Sequence, residues 1–130
     1  MIDYVKDEHR THLIAYHLIW CPKRRKQVLV DEIKTECKSL IQQKCEEKGW
    51  KILGLSVMPD HVHLFIQSFP SNCPSEIVKE IKGFTAYHMR KKHEQLMKIP
   101  CMWTRSYFVS TVGNLDSEII QKYIESQGKE

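Results

Sequence analysis

The sequence lacks any pair of cysteines in a C-x-x-C arrangement, and its cysteine count of five is odd. These features argue against a disulfide framework and against a cysteine-based zinc site. No signal-peptide pattern opens the chain, and no apolar run is long enough to span a bilayer. We therefore expect a protein that does not enter a membrane and works in a reducing cytoplasm.

No long composition shift, repeat or linker divides the 130 residues, so we expect one domain over residues 1–130. Hydrophobic residues make up 42% and charged residues 28%, which is typical of a folded globular chain. The net charge of +4 is a weak indication of nucleic-acid binding. The basic cluster Lys23, Arg24 and Arg25 is more informative: it either contacts phosphates or is an ordinary solvated charge run.

Hydrophobic periodicity predicts seven elements in the order β-α-β-β-α-β-α. The first six form an α+β, ferredoxin-like split βαβ pattern, an antiparallel sheet with helices on one face. The seventh, a C-terminal helix, is an addition to that fold. The predicted strands cover residues 12–20, 50–58, 61–67 and 107–112, and the predicted helices cover 31–48, a segment that opens at Ser75 and Glu76, and the residues after Ser117.

Several boundaries and core positions follow from local chemistry. Asp31 is predicted to cap the first helix and Gly49 to end it, while Pro59 and Asp60 mark a tight hairpin turn. Tryptophans are more often core residues than base-stacking platforms. Trp20, Trp50 and Trp103 are therefore predicted to be core residues. In the second helix the residues predicted to be buried are Ile77, Ile81, Phe84 and His88.

His61 and His63 stand two residues apart in the predicted third strand, so their side chains share one face. Val62, Leu64 and Ile66 then point the other way, into the core, and both imidazoles are expected to point out of it. Neutral imidazole binds divalent metals well. The pattern therefore indicates a metal site, although two histidines on a solvated strand face would give the same pattern.

Tyr123 and Gln127 are four residues apart in the predicted last helix, which places them on one helical face. Tyr123 is either a core aromatic or, if this face lies over the histidines, a nucleophile with Gln127 as an oxygen ligand. Free tyrosine has a pKa of about 10, so a nearby cation would favour the reactive phenolate. A tyrosyl phosphodiester conserves the energy of the broken linkage, which agrees with the absence of a Gly-rich phosphate loop.

Four stretches together resemble the single-tyrosine HUH transposases (TnpA type) of small insertion sequences that move as single-stranded DNA. The resemblance covers roughly residues 10–128, and its motifs occur in the family's order. The central stretch contains the histidine–hydrophobic–histidine motif that names the group. The stretches are YHLIWCPK at residues 16–23, MPDHVHL at 58–64, SYFVSTVG at 106–113 and KYIESQ at 122–127.

This resemblance implies a homodimer with composite active sites, in which the tyrosine helix of one subunit completes the histidine pair of the other. It implies single-stranded DNA with hairpin ends as substrate, and Mg²⁺ or Mn²⁺ as cofactor. By position, His61, His63 and Gln127 would be metal ligands. Tyr123 would be the catalytic nucleophile, forming a 5′-phosphotyrosine link and freeing a 3′-hydroxyl.

The sequence departs from part of the family at Met58, where some members carry an acidic metal ligand three residues before the first histidine. Asp60 is expected to cap the turn with its side chain on the opposite sheet face from His61. His17, inside the first strand, is expected to be a packed histidine. Lys82 either lines a helix face toward DNA or is an ordinary polar-face residue.

Two alternative functions remain at this point. A non-catalytic nucleic-acid-binding ferredoxin-like domain would need no role for the histidines or the tyrosine. A domesticated HUH single-strand nickase would use the same chemistry outside a mobile element, and only the genomic flanks distinguish it from a mobile-element transposase.

Overall fold

The computed structural model describes residues 14–111, and the backbone of residues 5–6 and 11–12. Within these residues the chain forms six strands, three α-helices and one short 3₁₀ turn at Lys23–Arg25. The elements are β1 (Val5–Lys6), β2 (Thr11–His12), β3 (Ala15–Trp20), α1 (Asp31–Lys48), β4 (Lys51–Met58), β5 (His61–Gln67), α2 (Pro74–Lys92), α3 (Glu94–Met97) and β6 (Phe108–Thr111).

The main sheet is antiparallel and has the strand order β4-β5-β3-β6. This order, with α1 and α2 as the connections that leave and return to the sheet, is the predicted split βαβ fold. Pro59 and Asp60 make the turn of the β4–β5 hairpin, in which Met58 pairs with His61, as expected. The predicted final helix, with Ser117, Tyr123 and Gln127, lies outside the described residues.

The core lies between the sheet and the two long helices. Val62, Leu64 and Ile66 of β5 are fully buried, as the alternation of that strand predicts. The three tryptophans are also buried, which confirms their assignment to the core. None of the five cysteines forms a disulfide, and among the described residues no helix is long and apolar enough to cross a membrane.

Helix α1 begins at Asp31, one residue before the start that a cap at Asp31 would give. Val30 occupies the extended N-cap position, and Asp31 is already the first helical residue, so the prediction that Asp31 is the cap was wrong. Valine has no side-chain acceptor for the free amides; Asp31 and Glu32 instead place negative charge in the first turn, where the helix dipole favours it. Gly49 ends the helix in the left-handed conformation, φ 76°, as predicted.

Helix α2 begins at Pro74, with Cys73 as N-cap, rather than at Ser75, because proline suits the first helical position. Ile77 and Ile81 are buried as predicted, but His88 is exposed and Phe84 only half-buried. The buried face instead continues through two residues four apart, which follow Ile81 at the same helical spacing. These residues are Thr85 and Met89.

Candidate functional site

His61 and His63 lie side by side on β5, with their ring centres 4.6 Å apart and their planes at 85°. This confirms that the two imidazoles share a sheet face. Both rings lie on the face opposite the core, as expected, although His63 is only 2% exposed and is therefore enclosed on that face. Strand β5 lies between two neighbours, so Ile19 of β3 and Ser56 of β4 flank His63.

Asp60 holds the outer histidine. Its Oδ1 lies 2.6 Å from His61 Nδ1, and its Oδ2 accepts a hydrogen bond of 3.1 Å from the Arg25 guanidinium. The expectation that the Asp60 side chain points to the opposite face was therefore wrong, because Asp60 sits within the turn and reaches back to its neighbour. The hydrogen bond from His61, with the charges of His61 and Arg25, lowers the pKa of Asp60.

His17 of β3 lies against the inner histidine. Its Nε2 is 3.4 Å from His63 Nδ1, and the two ring planes are inclined by only 15°. The ring centres are 5.6 Å apart, much farther than the nitrogens, so the rings meet edge to edge as a hydrogen bond requires. His17 is buried, as the sequence predicted, but it packs within the histidine cluster.

Burial, followed by the charges of His61 and His17, lowers the pKa of His63 to about 4. Burial also lowers the pKa of His17. His63 is therefore neutral near pH 7, and the neutral ring is the form that binds a metal ion.

The remaining nitrogen of His63 is the feature that fits a metal. His63 Nε2 is buried and has no hydrogen-bond partner among the residues that the structure describes. An unsatisfied buried polar atom is costly and needs an explanation. A metal ion bound by His61 and His63 would explain it. Within residues 14–111, however, no group of three or more His, Cys, Asp or Glu side chains is arranged to hold a metal.

The predicted third ligand, Gln127, and the predicted nucleophile, Tyr123, lie outside the described residues, so their positions relative to the histidines stay predictions. Met58 is the cross-strand partner of His61 in the last pair of the hairpin. Paired residues point to the same sheet face. Met58 is therefore next to the histidine pair.

The predicted DNA-binding residues have separate environments. Lys23, Arg24 and Arg25 form the 3₁₀ turn after β3; Arg24 is exposed, and Arg25 is paired with Asp60 although 68% of its side chain is exposed. Lys82 donates two hydrogen bonds from Nζ, to the carbonyl oxygens of Thr104 (2.7 Å) and Ser106 (3.0 Å). The structure thus brings Arg25 to the histidines and uses Lys82 to hold the segment before β6.

The sequence interpretation missed Asp60 and His17 as the partners of His61 and His63. The signal for Asp60 was its position immediately before His61 in a two-residue turn. The signal for His17 lay in strand pairing: Ile19 pairs with His63, which places His17 diagonally beside it. That register depends on contacts between distant segments and cannot be read from either strand alone.

The family described as "Transposase IS200 like" matches residues 10–127 of this chain. The ISDra2 transposase TnpA of Deinococcus radiodurans is 36% identical over 129 residues, covering 97% of this chain and 92% of that protein. The transposase for insertion sequence element IS200 of Salmonella typhimurium is 29% identical over 118 residues, covering 88% of this chain and 77% of that protein.

Two solved structures share the architecture. A candidate transposase from Deinococcus radiodurans R1 matches with a TM-score of 0.78 and 36% identity, over 95% of this chain and 97% of that one. A REP-associated tyrosine transposase bound to a REP hairpin matches with a TM-score of 0.62 and 14% identity, over 93% of this chain and 69% of that one. The second likeness concerns the fold alone. Both agree with the four-stranded sheet and its packed helices.

Proposed function

Because the chain belongs to the IS200-like transposase family, we propose that it cleaves and rejoins single-stranded DNA at insertion-sequence ends through a covalent link to Tyr123. Cleavage and strand transfer of DNA are the activities of this family, which is generally metal-dependent. The curated relatives are named as transposases, and no comparison favours a non-catalytic binding domain.

The buried Nε2 of His63, next to the imidazole of His61, is the observation that carries the proposed chemistry. We assign His61 and His63 as two ligands of Mg²⁺ or Mn²⁺, and Gln127 as the third. Gln127 is needed because the described residues offer no third ligand of the usual types, and Met58 replaces the acidic ligand of some members. When bound, the metal would polarise the scissile phosphate.

Tyr123 is the proposed nucleophile. Its phenolic oxygen attacks the phosphorus, the bond from phosphorus to the 3′-oxygen breaks, and that oxygen leaves as a 3′-hydroxyl after taking up a proton. The product is a 5′-phosphotyrosine ester, which is a phosphodiester like the original linkage. A 3′-hydroxyl can attack this ester in the reverse sense, which reseals DNA and releases Tyr123 without ATP.

The proposed assembly is a homodimer whose tyrosine helices complete the partners' histidine sites. Among the described strands β6 lies at an edge of the main sheet, and its Phe108 and Val109 are exposed at 52% and 39%. Exposed apolar residues on an edge strand are suited to pairing with a second copy. This edge supports the dimer, and residues 1–130 are proposed to act as one domain.

The proposed DNA is a single strand with hairpin ends. Arg24 is exposed in the same turn as Lys23 and Arg25, and Arg25 binds Asp60, the neighbour of His61. We propose that Lys23, Arg24 and the exposed part of Arg25 contact its phosphates, whereas Lys82 acts through the segment that it holds. Since such contacts release counterions, binding should weaken as salt is added.

The deciding experiment uses single-stranded DNA from both strands of the gene's own flanks, labelled at either end and incubated with protein and Mg²⁺. A denaturing gel should show one shortened 3′-hydroxyl product and a second labelled fragment that migrates with the protein until protease is added. The Tyr123→Phe variant, which lacks only the hydroxyl, should bind the same DNA and give neither product. The fully paired duplex is the substrate control.

Cleavage by Tyr123→Phe at the parental rate would refute the nucleophile assignment. Equal cleavage of the duplex would refute the single-strand requirement. DNA binding without cleavage by the parent, with either metal, would favour a non-catalytic binding protein instead.

A further inference from the structure

We infer that His17 and Asp60 are positioning residues that hold His63 and His61, respectively, with Nδ1 engaged and Nε2 turned toward the same metal ion. This inference rests on the proposed metal site, because it assigns the groups that orient its two imidazole ligands. Partners of this kind usually fix both the tautomer and the ring orientation of a histidine ligand.

The His61 assignment follows from hydrogen-bond chemistry. The carboxylate of Asp60 can only accept a hydrogen bond, so His61 Nδ1, at 2.6 Å from Oδ1, must carry the proton. A neutral His61 then has its lone pair on Nε2. Arg25 donates to the other carboxylate oxygen of Asp60 at 3.1 Å, which keeps that carboxylate in place.

The His63 assignment uses the same logic with a different partner. His63 Nδ1 faces His17 Nε2 at 3.4 Å, while its own Nε2 is buried without a partner among the described residues. For Nε2 to offer its lone pair to a metal, the proton must reside on Nδ1 and be donated to His17. His17 therefore carries its own proton on Nδ1.

The two partners come from different parts of the fold. Asp60 precedes its histidine by one residue in the hairpin turn, whereas His17 reaches His63 from the neighbouring strand. A carboxylate holds the more exposed imidazole, and a neutral ring holds the buried one. A second carboxylate in place of His17 would bring another charge into a buried position, which is unfavourable.

The test reads the tautomers directly in metal-free protein with ¹⁵N-labelled histidine, using long-range ¹H–¹⁵N spectra at pH 8. The parent should show His17, His61 and His63 all protonated on Nδ1. His17→Leu should shift only His63 toward the other tautomer, and Asp60→Ala should shift only His61. Each variant is thus the matched control for the other. His17→Gln keeps an acceptor oxygen and should keep His63 in its parental form.

Calorimetric titration with Mn²⁺ gives the second readout. His17→Leu and Asp60→Ala should each weaken metal binding by about 10- to 100-fold, the usual effect of losing a partner of a ligand. His17→Gln should recover most of the loss. Thr85→Val removes the buried hydrogen bond that Thr85 donates to the Ile81 carbonyl and the one that it accepts from Trp103 Nε1, and should leave the Mn²⁺ affinity unchanged.

A parent His63 protonated on Nε2 overturns the His17 assignment without any variant, and the same result for His61 overturns that of Asp60. If the parent binds no Mn²⁺ but shows the expected tautomers, the metal proposal fails while the pairing of the histidines stands. If the parent binds Mn²⁺ and the variants bind it equally well, the positioning role is wrong and the metal site stands.

Discussion

His17 and His63 lie diagonally across the β3–β5 pair, and 3.4 Å separates Nε2 of the first from Nδ1 of the second. Three histidines consequently form one continuous cluster, since His61 lies beside His63 with ring centres 4.6 Å apart. The members differ in surroundings: His17 and His63 are buried, whereas His61 keeps 16% of its side chain exposed. This asymmetry governs how variants of each should behave.

His61→Ala and His63→Ala should both abolish metal-dependent cleavage and Mn²⁺ binding, but with different effects on folding. His61 is partly exposed, so its removal should change the free energy of unfolding by less than about 1 kcal/mol. His63 is fully enclosed, and its removal should cost about 1–3 kcal/mol through the cavity left behind. Urea unfolding and calorimetric titration measure the two effects. Unchanged Mn²⁺ binding in both variants would refute the metal assignment.

Subunit mixing tests whether the site is shared. Tyr123→Phe and His61→Ala should each be inactive alone while still forming dimers. After subunit exchange, one site of each heterodimer would contain an intact histidine pair and an intact tyrosine if the helix docks on the partner. About half of the heterodimer sites would then be competent, and cleavage should return. Heterodimers verified by mass spectrometry that stay inactive would show that each subunit uses its own tyrosine.

The metal-free protein should lose stability as the pH falls from about 6.5 to about 4. Burial lowers the pKa of folded His63 to about 4, whereas an unfolded histidine has a pKa near 6.5. Between these values the unfolded chain binds a proton that the folded chain does not, so acid favours unfolding. The loss should be on the order of 1–3 kcal/mol. Urea titrations at several pH values, with chelator present, measure it; a His63→Gln variant should show a smaller loss over the same range.

Met58→Glu should strengthen Mg²⁺ binding, by roughly tenfold. Met58 pairs with His61 across the hairpin and shares its sheet face, so a glutamate there would bring a hard oxygen ligand beside the imidazoles. Met58→Gln has nearly the same shape without the charge and is the matched control. Competition titrations of Mg²⁺ against Mn²⁺ measure the change. Equal affinities in both variants would mean that this position does not reach the metal.

The sequence predicted the parts of the site that depend on local geometry. The two-residue period of β5 places His61 and His63 on one face, and Val62 and Leu64 in the core, whatever surrounds them. The turn at Pro59 and the left-handed Gly49 are likewise properties of a few neighbouring residues.

Features that depend on pairing between distant segments were missed. The contact of His63 with His17 follows from β3 pairing with β5 in a particular register, which neither strand specifies by itself. The exposure of His88 follows from the rotation of α2 over the sheet, which buries Thr85 and Met89 instead. In both cases the packing partner, rather than the residue's own pattern, decides the outcome.

The two histidine contacts differ in how many residues separate the partners: Asp60 is adjacent to His61, whereas His17 is distant from His63 in the sequence. Asp60 meets His61 as soon as the β4–β5 hairpin folds, an event of microseconds for an isolated hairpin. The contact of His63 with His17 spans 46 residues and includes the whole of α1, so it requires slow loop closure and strand docking. A folding intermediate that holds only the hairpin would carry His61 in its final hydrogen bond but His63 without its partner. Metal capture by both imidazoles should therefore require the late docking of β3, and stopped-flow refolding in Mn²⁺ would show binding following the formation of the sheet.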